Sequence, residues 1–223
     1  MSGDADHLTR SRNEAVDVAH DRLSALGVAV ERDVALGPMT TYRVGGPAAL
    51  FVRVSDREQL PAVAEAVDAS GLPLLVVGRG SNLLVADAGF AGLAISLADL
   101  DEVIDLHTEQ ATAVASAAVA LPVLARKTAA AGLSGFEWAV GVPGSVGGAV
   151  RMNAGGHGSD MAASLTEVTV FDIRVGVERV LAVDELGLAF RSSSLGAHEL
   201  VLDATLQLQP GDAEVSGRLI SEI

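Results

Sequence analysis

The sequence predicts an α+β fold, because strand patterns outnumber helical ones and the two kinds do not alternate strictly along the chain. Hydrophobic residues make up 49% and charged residues 20% of the 223 residues, a composition typical of globular proteins. The length suffices for one large domain or two small ones. Aromatic residues contribute only 3%, so the core must be built from valine, leucine, alanine and isoleucine.

The elements of the first half begin with an amphipathic helix at 11–26, in which apolar residues recur every three or four positions up to Gly27. A capping box formed by Ser55 and Glu58 predicts a second helix at 60–69. Short apolar or alternating runs between these signals are typical of strands. They predict strands at 49–54, 74–77, 83–85 and 92–97.

The second half contains a helical pattern at 121–131, which Gly132 ends, and another that begins near Asp212. The strands predicted between them are half-buried, because their apolar residues alternate with polar ones. These strands lie at 113–118, 165–171 and 200–208. Neither an internal repeat nor a low-complexity linker interrupts the pattern.

The charge balance and residue usage exclude several classes of partner. The chain has 15 basic and 29 acidic residues, a net charge of -14, which argues against binding to nucleic acid or to an anionic membrane surface. Without cysteine there is no disulfide or thiolate zinc site, and the five histidines lack metal-ligand spacing. No signal peptide opens the chain, and no apolar run approaches the roughly 20 residues that span a bilayer. We therefore expect a soluble cytoplasmic protein without a metal.

The first candidate functional segment comprises Gly78, Arg79, Gly80, Ser81 and Asn82, directly after a predicted buried strand. Its glycines can turn successive N–H groups to one side and form a nest for an anion. The serine and asparagine side chains add further donors. A tight turn between two strands explains the same residues equally well. The segment lacks the ending of a phosphate-binding Walker loop, and no helix pattern follows it as in a Rossmann fingerprint.

A second candidate segment holds six glycines within residues 141–156. Gly147 and Gly148 would let a flat ligand lie directly on the backbone, and Asn153 brings amide donors and an acceptor to the same region. A glycine-lined crossing of two chain segments remains the structural alternative. Together the two segments predict a large ligand with anionic and flat apolar parts. A dinucleotide such as flavin adenine dinucleotide (FAD) has both.

Five motifs in this order resemble those of the UDP-N-acetylenolpyruvoylglucosamine reductase (UDP-N-acetylmuramate dehydrogenase) family, in its actinobacterial form. The resemblance extends from about Val34 to about Pro210. The motifs are TTYRVGG at 40–46, GRGSN at 78–82, GFEWAVGVPGSVGGAV at 135–150, MNAG at 152–155 and FRSS at 190–193.

The resemblance implies an FAD-binding module of the p-cresol methylhydroxylase type, with two α+β subdomains and a non-covalently bound flavin. In the family, the first glycine loop holds the FAD pyrophosphate and the second lies along the flavin and the ribityl chain. No histidine stands in a context that suggests covalent attachment, although His157 is close to the second loop in sequence. The cofactor-binding residues implied by position are Gly78, Arg79, Gly80, Ser81, Asn82, Pro143, Gly144, Ser145, Gly147, Gly148, Asn153, Ala154 and Gly155.

The family's reaction belongs to peptidoglycan precursor synthesis. NADPH reduces FAD, and a hydride then passes to the enolpyruvyl double bond of UDP-N-acetylglucosamine enolpyruvate. Negative charge develops toward the substrate carboxylate, which a fixed guanidinium would stabilise. The family's Tyr-Arg-x-Ser motif supplies this arginine, and the matching residue is Arg191. Phe190 replaces the motif's tyrosine, so a phenolic hydrogen bond is lost.

The resemblance also implies a division of the chain into an N-terminal helical extension at 1–33, the FAD-binding module at 34–210 and the start of a further region at 211–223. In the family, a third domain follows that binds the UDP-sugar and carries a serine or cysteine proton donor. No such segment follows Pro210. We therefore expect a truncated form that binds FAD but shows little or no turnover by itself, because general acid catalysis contributes about 10² to 10⁴ in rate.

Two other functions remain open at the level of sequence. One is a different FAD oxidoreductase of the same cofactor-binding superfamily, acting on alcohols or phenols. The FRSS motif at 190–193 and the long match speak against it. The other is a non-catalytic protein that keeps the fold as an interaction module. Loss of flavin binding would favour that interpretation.

Overall fold

The structure, a computed structural model, describes the backbone of residues 2–223 and the side chains of residues 11–223. The chain divides into two compact units. Unit 1 extends through Leu100 and takes in Asp172–Val177, whereas unit 2 comprises Asp101–Phe171 and Glu178–Ile223. Each unit combines helices with its own sheet. The predicted α+β class is therefore confirmed.

Unit 1 is built from the helices α1 (Ser2–Ala25) and α2 (Leu60–Ser70) and the strands β1 (Val30–Ala35), β2 (Pro47–Arg53), β3 (Leu74–Val77) and β4 (Phe90–Ser96). The strands form a sheet in the order β1-β2-β4-β3. β1 runs antiparallel to β2, whereas β2 and β3 both run parallel to β4. The two helices contact each other, and Arg22 and Glu65 form an ion pair between them.

The core of unit 1 lies around the two central strands. Phe51 in β2 and Leu93 and Ile95 in β4 are completely buried. Such continuous apolar runs are expected of parallel strands that are covered on both faces. Helix α1 buries Ala19 and Leu23, which are four residues apart and so lie on one helix face. The periodicity predicted for this helix is thus confirmed.

The two ends of helix α2 can be compared with the start and stop signals predicted from the sequence. Gly71 ends α2 in the left-handed conformation, with a φ of 66°, as predicted. The predicted capping box of Ser55 and Glu58 is wrong, because the box lies one residue later. The Asp56 carboxylate accepts a hydrogen bond from the N–H of Glu58 (2.9 Å), and the Gln59 side chain accepts one from the N–H of Asp56 (3.3 Å). A short 3-10 turn at Arg57–Gln59 shifts the register.

Unit 2 holds the remaining elements, and the turn between its strands β10 and β11 belongs to unit 1. Its helices are α3 (Leu121–Ala130), α4 (Val146–Arg151) and α5 (Ala213–Glu222). Its strands are β5 (Ile104–His107), β6 (Thr112–Ser116), β7 (Leu133–Ser134), β8 (Gly155–Gly156), β9 (Ser159–Asp160), β10 (Leu165–Asp172), β11 (Val177–Ala182), β12 (Glu199–Gln207) and β13 (Gln209–Pro210).

The main sheet of unit 2 has the strand order β11-β10-β12-β6-β5, with β6 antiparallel to both β12 and β5. Its core is largely aliphatic, as the low aromatic content predicts. One aromatic pair is buried within it: Phe136 and Trp138 meet edge to face, with ring centroids 5.2 Å apart. The indole N–H of Trp138 is buried and has no hydrogen-bond partner among the described residues.

Helix α5 is fixed at its start and in its middle by polar contacts. The Asp212 carboxylate accepts hydrogen bonds from the N–H groups of Glu214 (2.8 Å) and Val215 (3.0 Å). Bonds from Val215 first, and then from Glu214, hold the pKa of Asp212 below its ordinary value. One turn later, the hydroxyl of buried Ser216 donates to the Glu137 carboxylate (2.6 Å). The predicted helix start near Asp212 is confirmed.

Acidification is expected to fray the first turn of α5. Because folding lowers the pKa of Asp212, its contribution to stability is present above the ordinary pKa and is lost as the pH falls through the folded value. The Asp212→Asn variant keeps a capping oxygen that does not titrate. The protection of the Glu214 and Val215 amides against hydrogen exchange, corrected for the intrinsic rate at each pH, should therefore fall between pH 5 and about pH 2.5 in the original chain but not in the variant. An equal loss of protection in both would contradict this role.

Several other predictions can be compared with the observed elements. The predicted helix at 121–131 and the strands at 49–54, 74–77, 92–97, 113–118, 165–171 and 200–208 all correspond to observed elements, with ends shifted by a few residues. The strand predicted at 83–85 is wrong, since these residues form no regular element. The sequence patterns do not predict β1, β5, β11 or α4.

Candidate functional site

The loop at 78–82 lies in unit 1, directly after β3. Gly80 is buried with a φ of 65°. A Cβ atom at this position would lie 1.9 Å from the carbonyl oxygen of Met39, and the Gly80 carbonyl accepts a hydrogen bond from the N–H of Thr41 (3.1 Å). Only glycine fits here, so this residue fixes the loop to the chain around Met39. The rest of the loop is exposed at Gly78, Arg79 and Asn82 and half-buried at Ser81.

The residues after this loop explain why the strand predicted at 83–85 does not form. Val85 is buried against Gly45, where a Cβ atom would lie 2.6 Å from the Val85 side chain. The segment is thus held by loop packing rather than by a strand partner. Leu84 and Tyr42, on these two contacting segments, are 71% and 64% exposed. Neither of these exposed apolar side chains is among the functional residues predicted from the sequence.

The second glycine-rich segment lies in unit 2 and is joined to the chain between β6 and α3. Ser145 is buried and caps α4, since its hydroxyl accepts a hydrogen bond from the N–H of Gly148 (3.4 Å). Pro143 is exposed just before it, and Gly144 has a φ of 136°. Three backbone hydrogen bonds fix the segment: Leu121 to Gly144 (3.0 Å), Val146 to Val119 (2.9 Å) and Gly147 to Ala117 (3.0 Å).

The two adjacent glycines of α4 face different surroundings. A Cβ atom at Gly147 would lie 2.8 Å from the Cβ of Ala117, so this glycine permits the close crossing of two chain segments. Gly148 is exposed, and a Cβ atom there would meet only the Ser145 hydroxyl, at 3.4 Å. The crossing that the sequence left open as an alternative is thus realised at Gly147, whereas the backbone at Gly148 is open to a ligand.

Asn153 is buried at the end of α4, and its side chain is engaged within the protein. The amide nitrogen donates to the Asp160 carboxylate (3.2 Å) and to the Ala189 carbonyl (3.2 Å). The amide oxygen accepts from the N–H of Ala162 (3.0 Å). Both amide hydrogens therefore have protein partners. Its backbone N–H donates to the Val150 carbonyl (3.1 Å), so a cofactor contact by this residue would have to use its backbone carbonyl or the remaining lone pair of its amide oxygen.

Arg191 lies at the tip of a tight turn and has a φ of 55°. Its guanidinium donates a hydrogen bond to the carbonyl oxygen of Gly155 (2.8 Å). It also lies over the ring of Phe190, with 5.4 Å between the guanidinium carbon and the ring centroid. Phe190 itself is 90% exposed. Arg191 is exposed as well, so it is held by two contacts rather than by burial.

A cavity of about 420 Å³ brings several of these residues together in unit 2. Asn153, Gly155 and Arg191, which the resemblance implies as cofactor-binding and catalytic residues, all line it. Phe190 and Asp160 also line it, and Asp160 is not among the residues predicted from the sequence. Asp160 lies in the β8–β9 hairpin, opposite Gly155. Recognising the hairpin turn at His157 and Gly158, which both have positive φ, could have pointed to this residue. The other predicted residues of this unit, Pro143, Gly144, Ser145, Gly147, Gly148 and Ala154, lie outside the cavity lining.

His157 is exposed at the tip of this hairpin and is directed toward the second glycine segment. A Cβ atom at Gly141 would lie 2.5 Å from its Nε2 atom. Among the described residues, no group of three or more acidic or histidine side chains could hold a metal ion. No helix within residues 2–223 has the length and apolar character needed to cross a bilayer.

Comparison with known proteins identifies the class to which this architecture belongs. Residues 48–180 match the family model described as an FAD binding domain. The chain also resembles alkyldihydroxyacetonephosphate synthase, with a TM-score of 0.56 at 16% identity over 75% of this chain and 33% of that one, a likeness of fold alone. The fold is therefore that of an FAD-binding domain.

More similar proteins narrow the class. UDP-N-acetylenolpyruvoylglucosamine reductases from Synechococcus sp. (strain RCC307) and Rubrobacter xylanophilus are 42% and 41% identical over 87% of this chain. The crystal structure of UDP-N-acetylenolpyruvylglucosamine reductase from Thermus caldophilus has a TM-score of 0.73 at 36% identity and covers 87% of this chain and 68% of its own. The chain belongs to the UDP-N-acetylenolpyruvoylglucosamine reductase family. It spans 64% and 65% of the length of the two curated relatives.

Proposed function

We propose that the chain supplies the FAD-binding part of a reductase that converts UDP-N-acetylglucosamine enolpyruvate to UDP-N-acetylmuramate. The observation that carries this proposal is the turn at Arg191, which places a guanidinium at a cavity lined by the second glycine segment. A cation at this cavity suits a ligand that carries a carboxylate. The family membership supports the same reaction.

FAD is proposed to contact the described residues in two places. The exposed part of loop 78–82 is proposed to bind the pyrophosphate, with Gly80 holding the loop in shape from beneath. The open backbone at Gly148 accepts a flat group where a side chain would collide. The full proposed set is Gly78, Arg79, Gly80, Ser81, Asn82, Pro143, Gly144, Ser145, Gly147, Gly148, Asn153, Ala154 and Gly155, in which Gly147 acts through packing and Asn153 through its backbone.

Arg191 is the proposed catalytic residue. When bound, FAD supplies hydride transfer from NADPH to the enolpyruvyl double bond. The Arg191 guanidinium would donate hydrogen bonds to the substrate carboxylate, toward which negative charge develops. Donors fixed in advance stabilise such charge more than mobile ones do, because they need no reorganisation during the reaction. The contacts with Gly155 and Phe190 provide this fixation.

The co-substrate and the setting follow from the proposed reaction. NADPH is the proposed hydride source and a UDP-sugar the proposed substrate. The setting would be cytoplasmic synthesis of peptidoglycan precursors, which supports cell-wall growth, cell shape and division. The net charge of -14 supports the proposal that neither nucleic acid nor an anionic membrane is a partner. We also propose that the chemistry needs no metal.

Flavin retention tests the proposed function directly. The purified chain is mixed with FAD, freed of excess by gel filtration and examined by visible absorption. We expect a retained flavin band that is bleached anaerobically by NADPH. A folded chain that retains no flavin would contradict the proposal and favour a non-catalytic module. Retained flavin that NADPH leaves oxidised would contradict only the proposed hydride source.

Replacing each of the two glycines of α4 by alanine is expected to separate effects on folding from effects on cofactor binding. Gly147→Ala should lower the free energy of unfolding by about 1–3 kcal/mol, because its Cβ overlaps that of Ala117. Gly148→Ala should leave stability unchanged or slightly raised, since alanine favours helix. It should nevertheless weaken FAD binding at least tenfold by filling the open backbone position. Thermal denaturation and FAD titration of both variants check this. Unchanged FAD affinity in Gly148→Ala would contradict the proposed flavin contact.

A further inference from the structure

We propose that Asn153 and Ser193 are positioning residues, which hold the turn carrying Arg191 against the end of helix α4. The inference rests on the proposed function of Arg191 and adds two residues on which its placement depends. It also assigns the Asn153 side chain a role within the protein instead of a contact with the cofactor.

The turn itself is a two-residue tip closed by a pair of backbone hydrogen bonds. Ala189 and Ser192 each donate an N–H to the carbonyl of the other, at 3.0 and 3.1 Å. Phe190 and Arg191 form the tip, and the φ of 55° at Arg191 is a conformation that non-glycine residues adopt sparingly. Such a conformation persists where the surrounding structure holds it in place. Contacts from outside the turn are therefore required.

Asn153 provides the first of these contacts. Its amide nitrogen donates to the carbonyl of Ala189, where the turn begins (3.2 Å). The same amide is held by Asp160 and by the N–H of Ala162, so its orientation is fixed from three sides. It is only 4% exposed, and water therefore competes little for these bonds. The start of the turn is thus tied to a rigid buried group.

Ser193 provides the second contact at the other end of the turn. Its hydroxyl donates to the carbonyl oxygen of Arg151, the last residue of α4 (2.7 Å). The two ends of the turn are therefore tied to residues 151 and 153, which are only two positions apart. Between these ties, the guanidinium of Arg191 reaches the carbonyl of Gly155. The residues at and just after the end of α4 thus hold the turn and also form part of the cavity wall.

This arrangement matters because Arg191 is exposed and its long side chain would otherwise rotate freely. Holding a reacting or binding group in place in advance avoids an entropic cost when the substrate arrives. Removing either hydrogen bond should leave the guanidinium present but free to move. The expected defect is weaker carboxylate binding without loss of flavin.

The test uses Asn153→Gly, which removes the amide and tolerates the φ of 39°, and Ser193→Ala. Ser194→Ala is the matched control, because it removes a hydroxyl bond to Glu185 from the same loop (3.1 Å). NMR relaxation of the Arg191 side-chain Nε–H, assigned through Arg191→Lys, measures its order. We expect the same order parameter in the original chain and in the control, and a clearly lower one in the two variants.

A second experiment measures the affinity of the site for a small enolpyruvyl compound. The probe is 2-methoxyacrylate, an enolpyruvyl ether without the sugar, titrated into the FAD-loaded chain while the flavin spectrum is recorded. We expect about tenfold weaker binding in Asn153→Gly and Ser193→Ala with FAD retained, and recovery in Ser193→Thr, which keeps the hydroxyl. Unchanged order and affinity in both variants would overturn the proposal. If the original chain holds no FAD, the proposed function fails, whereas the order parameters still decide whether Arg191 is positioned in this way.

Discussion

Gly80→Ala is expected to unfold or severely destabilise unit 1. The added Cβ would lie 1.9 Å from the Met39 carbonyl oxygen, a backbone atom that cannot move aside as a side-chain end could. The φ of 65° adds strain for any residue with a Cβ. Overpacking costs about 1–3 kcal/mol, and a left-handed conformation costs about 1–2 kcal/mol. We therefore expect a loss of about 2–5 kcal/mol, measured by denaturant unfolding and accompanied by loss of FAD.

Gly71→Ala separates the two causes. Gly71 has nearly the same φ, 66°, but no atom lies within 4 Å of an added Cβ. Its substitution should cost only the conformational part, about 1–2 kcal/mol. Equal destabilisation by the two variants would show that the contact with Met39 contributes nothing. Loss of FAD from Gly80→Ala without loss of stability would instead mean that Gly80 touches the cofactor directly.

Arg191→Ala is expected to weaken recognition of the carboxylate strongly while FAD stays bound. Hydrogen bonds to charged groups contribute about 1.5–3 kcal/mol, and a tenfold change in affinity corresponds to about 1.4 kcal/mol. The affinity of the FAD-loaded chain for 2-methoxyacrylate should therefore fall by about tenfold to a hundredfold. Spectral titration of the flavin measures the effect. The rate of flavin reduction by NADPH should be unchanged, because that step does not involve the substrate carboxylate.

Arg191→Lys distinguishes charge from geometry. Lysine keeps the positive charge but lacks the planar guanidinium that can bind a carboxylate through two parallel hydrogen bonds. It also loses the favourable stacking on Phe190. We expect an affinity between those of the original chain and the alanine variant. Full retention of affinity in Arg191→Ala would contradict the proposed role, whatever the lysine variant shows.

The parts of the fold that the sequence predicts well are those fixed by local chemistry. Gly71 and Gly132 end helices because a left-handed residue is needed there, and both have the expected positive φ. The helix start near Asp212 is equally local. The strand predicted at 83–85 fails because apolar composition alone does not supply a strand partner, and Val85 packs on Gly45 instead. Sequence periodicity does not contain that long-range contact.

The candidate site shows the same division. The two glycine-rich segments and Arg191 were found from motifs, and Asn153, Gly155 and Arg191 do line one cavity. The different surroundings of Gly147 and Gly148 were not predictable, because they depend on where Ala117 crosses α4. The partners of Asn153 were equally hidden, since Ala189 is 36 residues away in sequence. Short motifs identify residues at a site, whereas their roles depend on these distant contacts.

The scarcity of aromatic residues gives this protein a built-in optical reporter of one unit. The single tryptophan, Trp138, is buried in unit 2 beside Phe136, and the single tyrosine, Tyr42, is exposed in unit 1. Tryptophan emission therefore follows the loss of structure in unit 2, whereas Tyr42 is already 64% exposed and its emission should change little on unfolding. A variant that damages unit 1 alone, such as Gly80→Ala, should therefore leave the tryptophan emission spectrum unchanged, without labels or added cysteines.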